Sequence, residues 1–174
     1  MQKRKNRLAD FEIDKLTNSI ENTTTGETFD TDIDRLTVKD SRLIAKAEWQ
    51  FDWKKELKDT TKEVYKLSTI NNPTIIQGLI SIENKGDHIF MHLVESAKFN
   101  KGKNKIYLGV PGNLVAFACK LSFEKGYEGF VAFDSKTALI EHYKKTLGAT
   151  QLRGQRMYLD DRAAKRLIEQ YFKK

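Results

Sequence analysis

Residues 109–114 read Gly-Val-Pro-Gly-Asn-Leu, and the way the chain enters and leaves this run decides the fold. A candidate strand, His88–Glu95, lies ahead of it and a candidate helix, Asn113–Lys125, behind it. Glycines at such a join let the backbone turn tightly and approach a ligand closely. Pro111 suits a first helical turn, where its missing N–H costs little. The unpaired N–H groups of that turn, together with the helix dipole, favour an anion. Lys98, Lys101, Lys103 and Lys105 stand just upstream with no acid between them. A strand, a basic glycine-bearing loop and a helix N-terminus make a phosphate cradle. The same residues also suit a plain tight turn beside a solvated lysine run, and locally both remain open. The loop is neither GxxxxGK(S/T) nor GxGxxG.

Upstream, Val64–Ile70, Ile75–Ile82 and His88–Glu95 are strand candidates. The turns Asn71-Asn72-Pro73 and Asn84-Lys85-Gly86-Asp87 join them into an antiparallel meander. Downstream, Leu114, Phe117, Ala118 and Leu121 give helix 113–125 one apolar face. Phe130–Phe133 is an uncharged run, read as a strand buried on both faces. Leu139, Tyr143 and Leu147 recur at i, i+4 and i+8 in a second helix, Ser135–Leu147. Arg156–Leu159 reads as a strand and Arg162–Phe172 as a closing helix.

The N-terminal quarter is read as β-rich over residues 8–36. Phe11 and Ile13 alternate with charged neighbours, Thr23-Thr24-Thr25-Gly26 marks a hairpin turn, and Phe29 and Ile33 follow on the return. Thr37 is a helix cap candidate with Asp40 three residues on. Leu43, Ala47 and Phe51 then predict a helix with an apolar face, while Trp49, Phe51 and Trp53 fit period 2 equally well. The polar stretch 54–62 reads as loop. Together these elements predict an α/β fold: a mixed, largely antiparallel central sheet with flanking helices. The chain divides into a basic tail and β-rich extension, 1–36, and a main domain, 37–174, compact as one unit.

Composition narrows the class. The 174 residues are 39% hydrophobic and 10% aromatic, enough to build a core without disulfides. No apolar run nears the roughly 20 residues of a membrane span, and the basic start lacks the apolar stretch of a signal peptide. The single cysteine, Cys119, sits among Phe117, Ala118 and Leu121, as a small buried hydrophobe would. These features point to the reducing cytoplasm. The net charge is +7, but Lys3, Arg4, Lys5 and Arg7 supply four of those charges at the N-terminus.

The element order and two short motifs resemble the GCN5-related N-acetyltransferases, the GNAT fold. That family has a meander, then a pyrophosphate-binding loop of the form Gln/Arg-x-x-Gly-x-Gly/Ala opening a helix. A buried strand and a helix bearing a Tyr and ending at Gly follow. Ile106-Tyr107-Leu108-Gly109-Val110-Pro111 takes the place of the loop, and residues 138–149, with Tyr143 and Gly148, take the place of the helix. Ile106 and Pro111 depart from the loop pattern, and Tyr143 lies five residues before Gly148 rather than four. The resemblance covers roughly residues 63–160 and implies an acyl-CoA N-acyltransferase fold that moves an acetyl group from acetyl-CoA to a primary amine.

On that resemblance the coenzyme is held by Val94, Lys103, Lys105, Gly109, Val110, Gly112, Asn113 and Leu114. A protonated amine is no nucleophile at neutral pH, so some group must take its proton. Glu95, at the end of the strand beside the loop, is the first candidate for that base, and His92 the second. Tyr143 is assigned as the acid for the departing thiolate. Asp134, ending the buried strand, would hold a cationic acceptor. Each has a plainer reading: a solvated strand end for Glu95, a satisfied strand histidine for His92, core packing for Tyr143 and a helix cap for Asp134. No metal site is expected, since His88 and His92 would stand roughly 13 Å apart along a strand. Two other functions fit the same residues: a catalytically silent acyl-CoA-binding or interaction module, and a basic nucleic-acid-binding protein. Glu83, Asp87 and Glu95 break up the basic face that the last of these needs. The acceptor and the oligomeric state are not written in the sequence.

Overall fold

The structure, a computed structural model, describes residues 8–15 and 19–172. The basic residues Lys3, Arg4, Lys5 and Arg7 lie outside them. Two sheets form. The smaller has three strands, in order β2-β1-β7: β1 (Ile20–Asn22), β2 (Thr28–Phe29) and β7 (Tyr107–Leu108). The expected turn at Thr23–Gly26 joins β1 to β2, with the Gly26 N–H donating to the Asn22 carbonyl at 2.9 Å.

The main sheet has seven strands. They are β3 (Thr31–Leu36), β4 (Glu63–Thr69), β5 (Gly78–Asn84), β6 (Ile89–Ser96), β8 (Val131–Asp134), β9 (Thr150–Arg153) and β10 (Arg156–Leu159). Their order is β3-β4-β5-β6-β8-β10-β9. Every pairing is antiparallel except β6 with β8. The extension 1–36 therefore lends β3 to this sheet.

Alternation along the strands divides the core in two. Leu67, Ile80, Ile82, Met91 and Val94 face the helices α2 (Val110–Glu124) and α4 (Asp161–Phe172), meeting Leu114, Ala118 and Leu167. Val64, Leu79 and Leu93 face the other way, onto Leu36, Ile44, Trp49 and Trp53. Helix α3 (Ile140–Leu147) follows β8 and buries Ile140, Tyr143 and Leu147.

The structure departs from the sequence reading between residues 37 and 62. Asp40 does accept the Thr37 N–H, at 2.8 Å, but only two 3₁₀ turns form, Val38–Leu43 and Lys46–Glu48. Ala45 breaks them apart with φ −59° and ψ 135°. Ile44 and Trp49 turn inward, and Leu43 and Ala47 are left exposed. The stretch expected to be loop holds helix α1 (Trp53–Lys58), started by Asp52, whose side chain accepts the Lys55 N–H at 3.2 Å. Phe11 and Ile13 alternate as expected but join no strand. Strand β5 starts at Gly78, later than its apolar run suggests, and β7 and β9 were not foreseen.

Candidate active site

The site is set by what β6 does after its second residue. β6 and β8 run parallel, and their register consists of Ile89↔Val131 and Phe90↔Ala132. Beyond that the two strands part. On its other side β6 pairs with β5, and the register shifts so that Ser81 faces Leu93 and Ile82 faces Met91. His92 is the extra residue of a β-bulge, which bends a strand and re-aims its side chains. A wedge-shaped opening results, with β6 on one wall, β8 and α3 on the other, and the start of α2 at its end.

Residues 8–15 fill that opening. Ala9 bridges Ser135 in parallel register, its N–H donating to the Asp134 carbonyl at 2.6 Å and its carbonyl accepting from the Lys136 N–H at 3.1 Å. Asp10 pairs with Lys136 at 3.1 Å. The Phe11 ring lies 5.1 Å from the Tyr143 ring, and the Tyr143 hydroxyl donates to the Phe11 carbonyl. The Ile13 N–H donates to His142 Nε2 at 2.9 Å. Asp14 Oδ1 accepts the Gly109 N–H at 3.1 Å, and Oδ2 pairs with Lys105 at 3.2 Å. The Tyr171 hydroxyl donates to the Lys15 carbonyl at 3.1 Å. The void left beside this strap is about 10 Å³, lined by residues 8–11, Phe51, Met91–Val94 and Phe133. That volume holds at most about one water molecule.

The loop before α2 behaves as an anion site, and its occupant is a carboxylate of the same chain. Gly109 caps the helix with φ +90°, a left-handed conformation that glycine adopts without strain. Of the first helical N–H groups, that of Asn113 bonds to the Gly109 carbonyl at 3.0 Å and Pro111 has none. Gly112 has a structural reason to be glycine: a Cβ there would stand 1.8 Å from the Tyr171 hydroxyl oxygen. Val110 and Leu114 are fully buried in the core. The Asn113 side chain is tied to Thr31, Nδ2 donating to the hydroxyl at 3.2 Å. Lys103 is exposed beside Lys105 in an open groove of about 420 Å³ with Asn22, Thr23 and Thr24.

Glu95 lies on the far side of β6, and its carboxylate is saturated. It accepts from the Gln50 N–H at 2.8 Å, the Phe51 N–H at 3.1 Å, Trp53 Nε1 at 2.8 Å and Lys101 Nζ at 2.9 Å. Burial pushes its pKa up, but those donors outweigh burial and hold it below the ordinary glutamate range. Four donors occupy its four lone-pair sites, so the expected base is a structural anchor for residues 50–53. Asp134, expected to hold substrate, is engaged by the Arg156 guanidinium through both carboxylate oxygens.

His92 lines the void. Its Nε2 meets Glu83 Oε1 at 2.8 Å. Burial lowers the imidazole pKa, with the Glu83 hydrogen bond opposing. Burial raises the Glu83 pKa, yet Lys85 and His92 bring it below its ordinary value, so a carboxylate faces Nε2. The ring proton then sits on Nε2, and Nδ1 keeps its lone pair. Tyr143 is buried against Phe11 and Phe133, and burial pushes its hydroxyl far above the ordinary tyrosine range. Two groups thus assemble around the strap: His92, Val94 and Tyr143 about Phe11, and Gly109 with Lys105 about Asp14. Sequence reasoning missed the strap, His142 and Tyr171. The signal available for the strap was the alternation Asp10-Phe11-Glu12-Ile13-Asp14, acids at every second position ahead of a basic loop.

No family model matches the chain, and no curated protein matches it. Solved structures do. A point mutant of the spermidine N-acetyltransferase SpeG from Vibrio cholerae superposes with a TM-score of 0.50 at 13% identity, covering 77% of this chain and 95% of that one. A chimera of the Vibrio cholerae SpeG with hSSAT gives 0.50 at 13%, covering 78% and 98%. AtaTR bound with AcCoA gives 0.50 at 14%, covering 80% and 98%. At these identities the likeness is one of fold, and the fold is that of the GCN5-related N-acetyltransferases.

Proposed function

We propose that the protein is an acetyl-CoA-dependent N-acetyltransferase that moves an acetyl group directly to a primary amine. The observation that carries this reading is the parting of β6 and β8, with the Gly109 amide at one end and the Tyr143 hydroxyl aimed into it. The loop residues suit an oxyanion, because the Gly109 N–H and the Lys105 ammonium already hold one in the carboxylate of Asp14. Gly109 and Lys105 would hold the diphosphate, with Lys103 beside them, and Val94 would line the arm of the coenzyme. Acetyl-CoA supplies an acyl carbon activated as a thioester.

His92 is the better base. Its neutral imidazole, held by Glu83, can take the proton of the acceptor ammonium through Nδ1 as the new C–N bond forms. Tyr143 serves as a hydrogen-bond donor to the departing sulfur rather than as an acid. A thiolate whose thiol has an ordinary pKa near 8.5 is a weaker base than a tyrosinate of ordinary pKa near 10, so full proton transfer from the phenol is uphill. Positioning the amine against the thioester supplies most of the remaining rate.

The test is release of free thiol from acetyl-CoA in the presence of an amine panel, with spermidine first because two structural neighbours act on it. Turnover should appear with at least one amine. It should fall about 10²–10⁴-fold in His92→Gln and, for loss of one hydrogen bond of about 1–1.5 kcal/mol, roughly tenfold in Tyr143→Phe. Absence of thiol release with every amine would overturn the reading. One observation favours a second reading, a catalytically silent module: the opening is filled by the chain itself.

A further inference from the structure

The filled opening points past both readings to how the site is controlled. We propose that residues 8–15 form an internal plug that holds the coenzyme track closed at rest and must leave before acetyl-CoA can enter. This rests on the transferase reading above.

The plug meets the track at each point where a coenzyme would need it. Its carboxylate, Asp14, takes the Gly109 amide and the Lys105 ammonium, the two groups that suit a diphosphate. Its Phe11 carbonyl takes the Tyr143 hydroxyl, the donor suited to the sulfur. Its Ala9 backbone extends the edge of β8 at Ser135. Phe11 and Ile13 supply apolar bulk, with Ile13 buried in the main core. The void left beside residues 8–11 is about 10 Å³, and Asp14 and Phe11 occupy the groups a coenzyme would need, so plug and coenzyme exclude each other.

The plug is also built to leave. Most of its anchors are single hydrogen bonds or ion pairs to side chains of the walls. The Asp10–Lys136 pair has its lysine half exposed. It belongs to no strand and pairs with the sheet through one bridge. The apparent affinity for a coenzyme is then the intrinsic affinity multiplied by the fraction of chains with the plug out.

Three full-length chains test this by calorimetric titration with acetyl-CoA. One is wild type. One carries Phe11→Ser with Asp14→Ser, which removes the Phe11 ring from Tyr143 and the carboxylate from Gly109 and Lys105, and leaves every wall residue intact. One carries Ala9→Cys with Ser135→Cys, since bridge partners stand at a separation a disulfide can span, while Cys119 is buried elsewhere. The loosened chain should bind at least tenfold more tightly than wild type. The oxidised tethered chain should not bind, and reductant should restore binding. Binding to the oxidised tether at the wild-type affinity, or equal affinities in the loosened and wild-type chains, would overturn the plug while leaving the transferase reading standing. A folded loosened chain that binds no acetyl-CoA would overturn the transferase reading, and the plug with it.

Discussion

Glu95→Gln separates a structural carboxylate from a catalytic one. In the folded chain four donors converge on its two oxygens, and its side chain is 2% exposed. Glutamine replaces one oxygen with an NH₂ group, so two of those donors face another donor at hydrogen-bond distance. Hydrogen bonds to a charged group contribute about 1.5–3 kcal/mol each, and breaking a buried charged pair costs about 3–5 kcal/mol. Taking the pair figure as the net cost, and about 2–4 °C per kcal/mol for a domain of this size, Tm falls by roughly 6–20 °C. The pH dependence has a definite sign. The folded carboxylate has a pKa below its ordinary 4.5, so it adds stability that is fully present above that value. That stability is lost as pH falls further, through the folded pKa. Wild type should therefore lose stability below about pH 4.5 more steeply than Glu95→Gln. Circular-dichroism melts at pH 7 and pH 4 measure both effects. A variant that melts like wild type yet no longer releases thiol from acetyl-CoA would refute this account and restore Glu95 as the base.

Two further outcomes follow from the same geometry. Gly112→Ala drives a methyl against the Tyr171 hydroxyl, 1.8 Å from where its Cβ must go. Overpacking of this kind costs about 1–3 kcal/mol, and Tyr171→Phe in the same chain, which removes the clashing hydroxyl while keeping the buried ring, should recover part of it in urea melts. His92 has a pKa lowered by burial from 6.5, so the stability it contributes is present above that pH and lost as pH falls through the folded value. The melting curve of His92→Gln should thus depend less on pH than wild type between about pH 6.5 and pH 5, and equal slopes would disprove it.

The meander, α2, β8, α3, β10 and α4 were legible because each carries its own periodicity and its own turn. Glycine after α2 and α3, and the uncharged run at Phe130–Phe133, needed no tertiary context. Residues 37–62 were not legible for the opposite reason. Leu43, Ala47 and Phe51 satisfy a helical stripe, but the buried groups are Ile44, Trp49 and Trp53, selected by a sheet face that only the fold supplies. Strand β9 lacks any pattern because it is an edge with all four residues exposed. The site divides in the same way. That the Gly109 N–H faces an acceptor follows from local backbone geometry, and here the acceptor is the carboxylate of Asp14. That Glu95 points away from the opening follows from strand parity and the bulge at His92, which local sequence does not encode.

The identity of the anion is a matter of concentration as much as of contact. Asp14 is tethered, and a short tether presents its ligand at an effective concentration on the order of millimolar. A free coenzyme meets the same amide and the same lysine, so those two contacts alone give it no advantage over the strap at lower concentrations. It must gain from groups the strap does not use. Lys103 is the candidate, exposed in the groove beside Lys105 and able to meet a second phosphate that a single carboxylate lacks. On the transferase reading, charge at Lys103 would set the balance between the strap and a diphosphate. Lys103→Ala should weaken acetyl-CoA binding while leaving the Asp14–Gly109 contact, and with it the melting temperature, where it was. A loss of stability in that variant would mean that Lys103 supports the fold and plays no part in the competition.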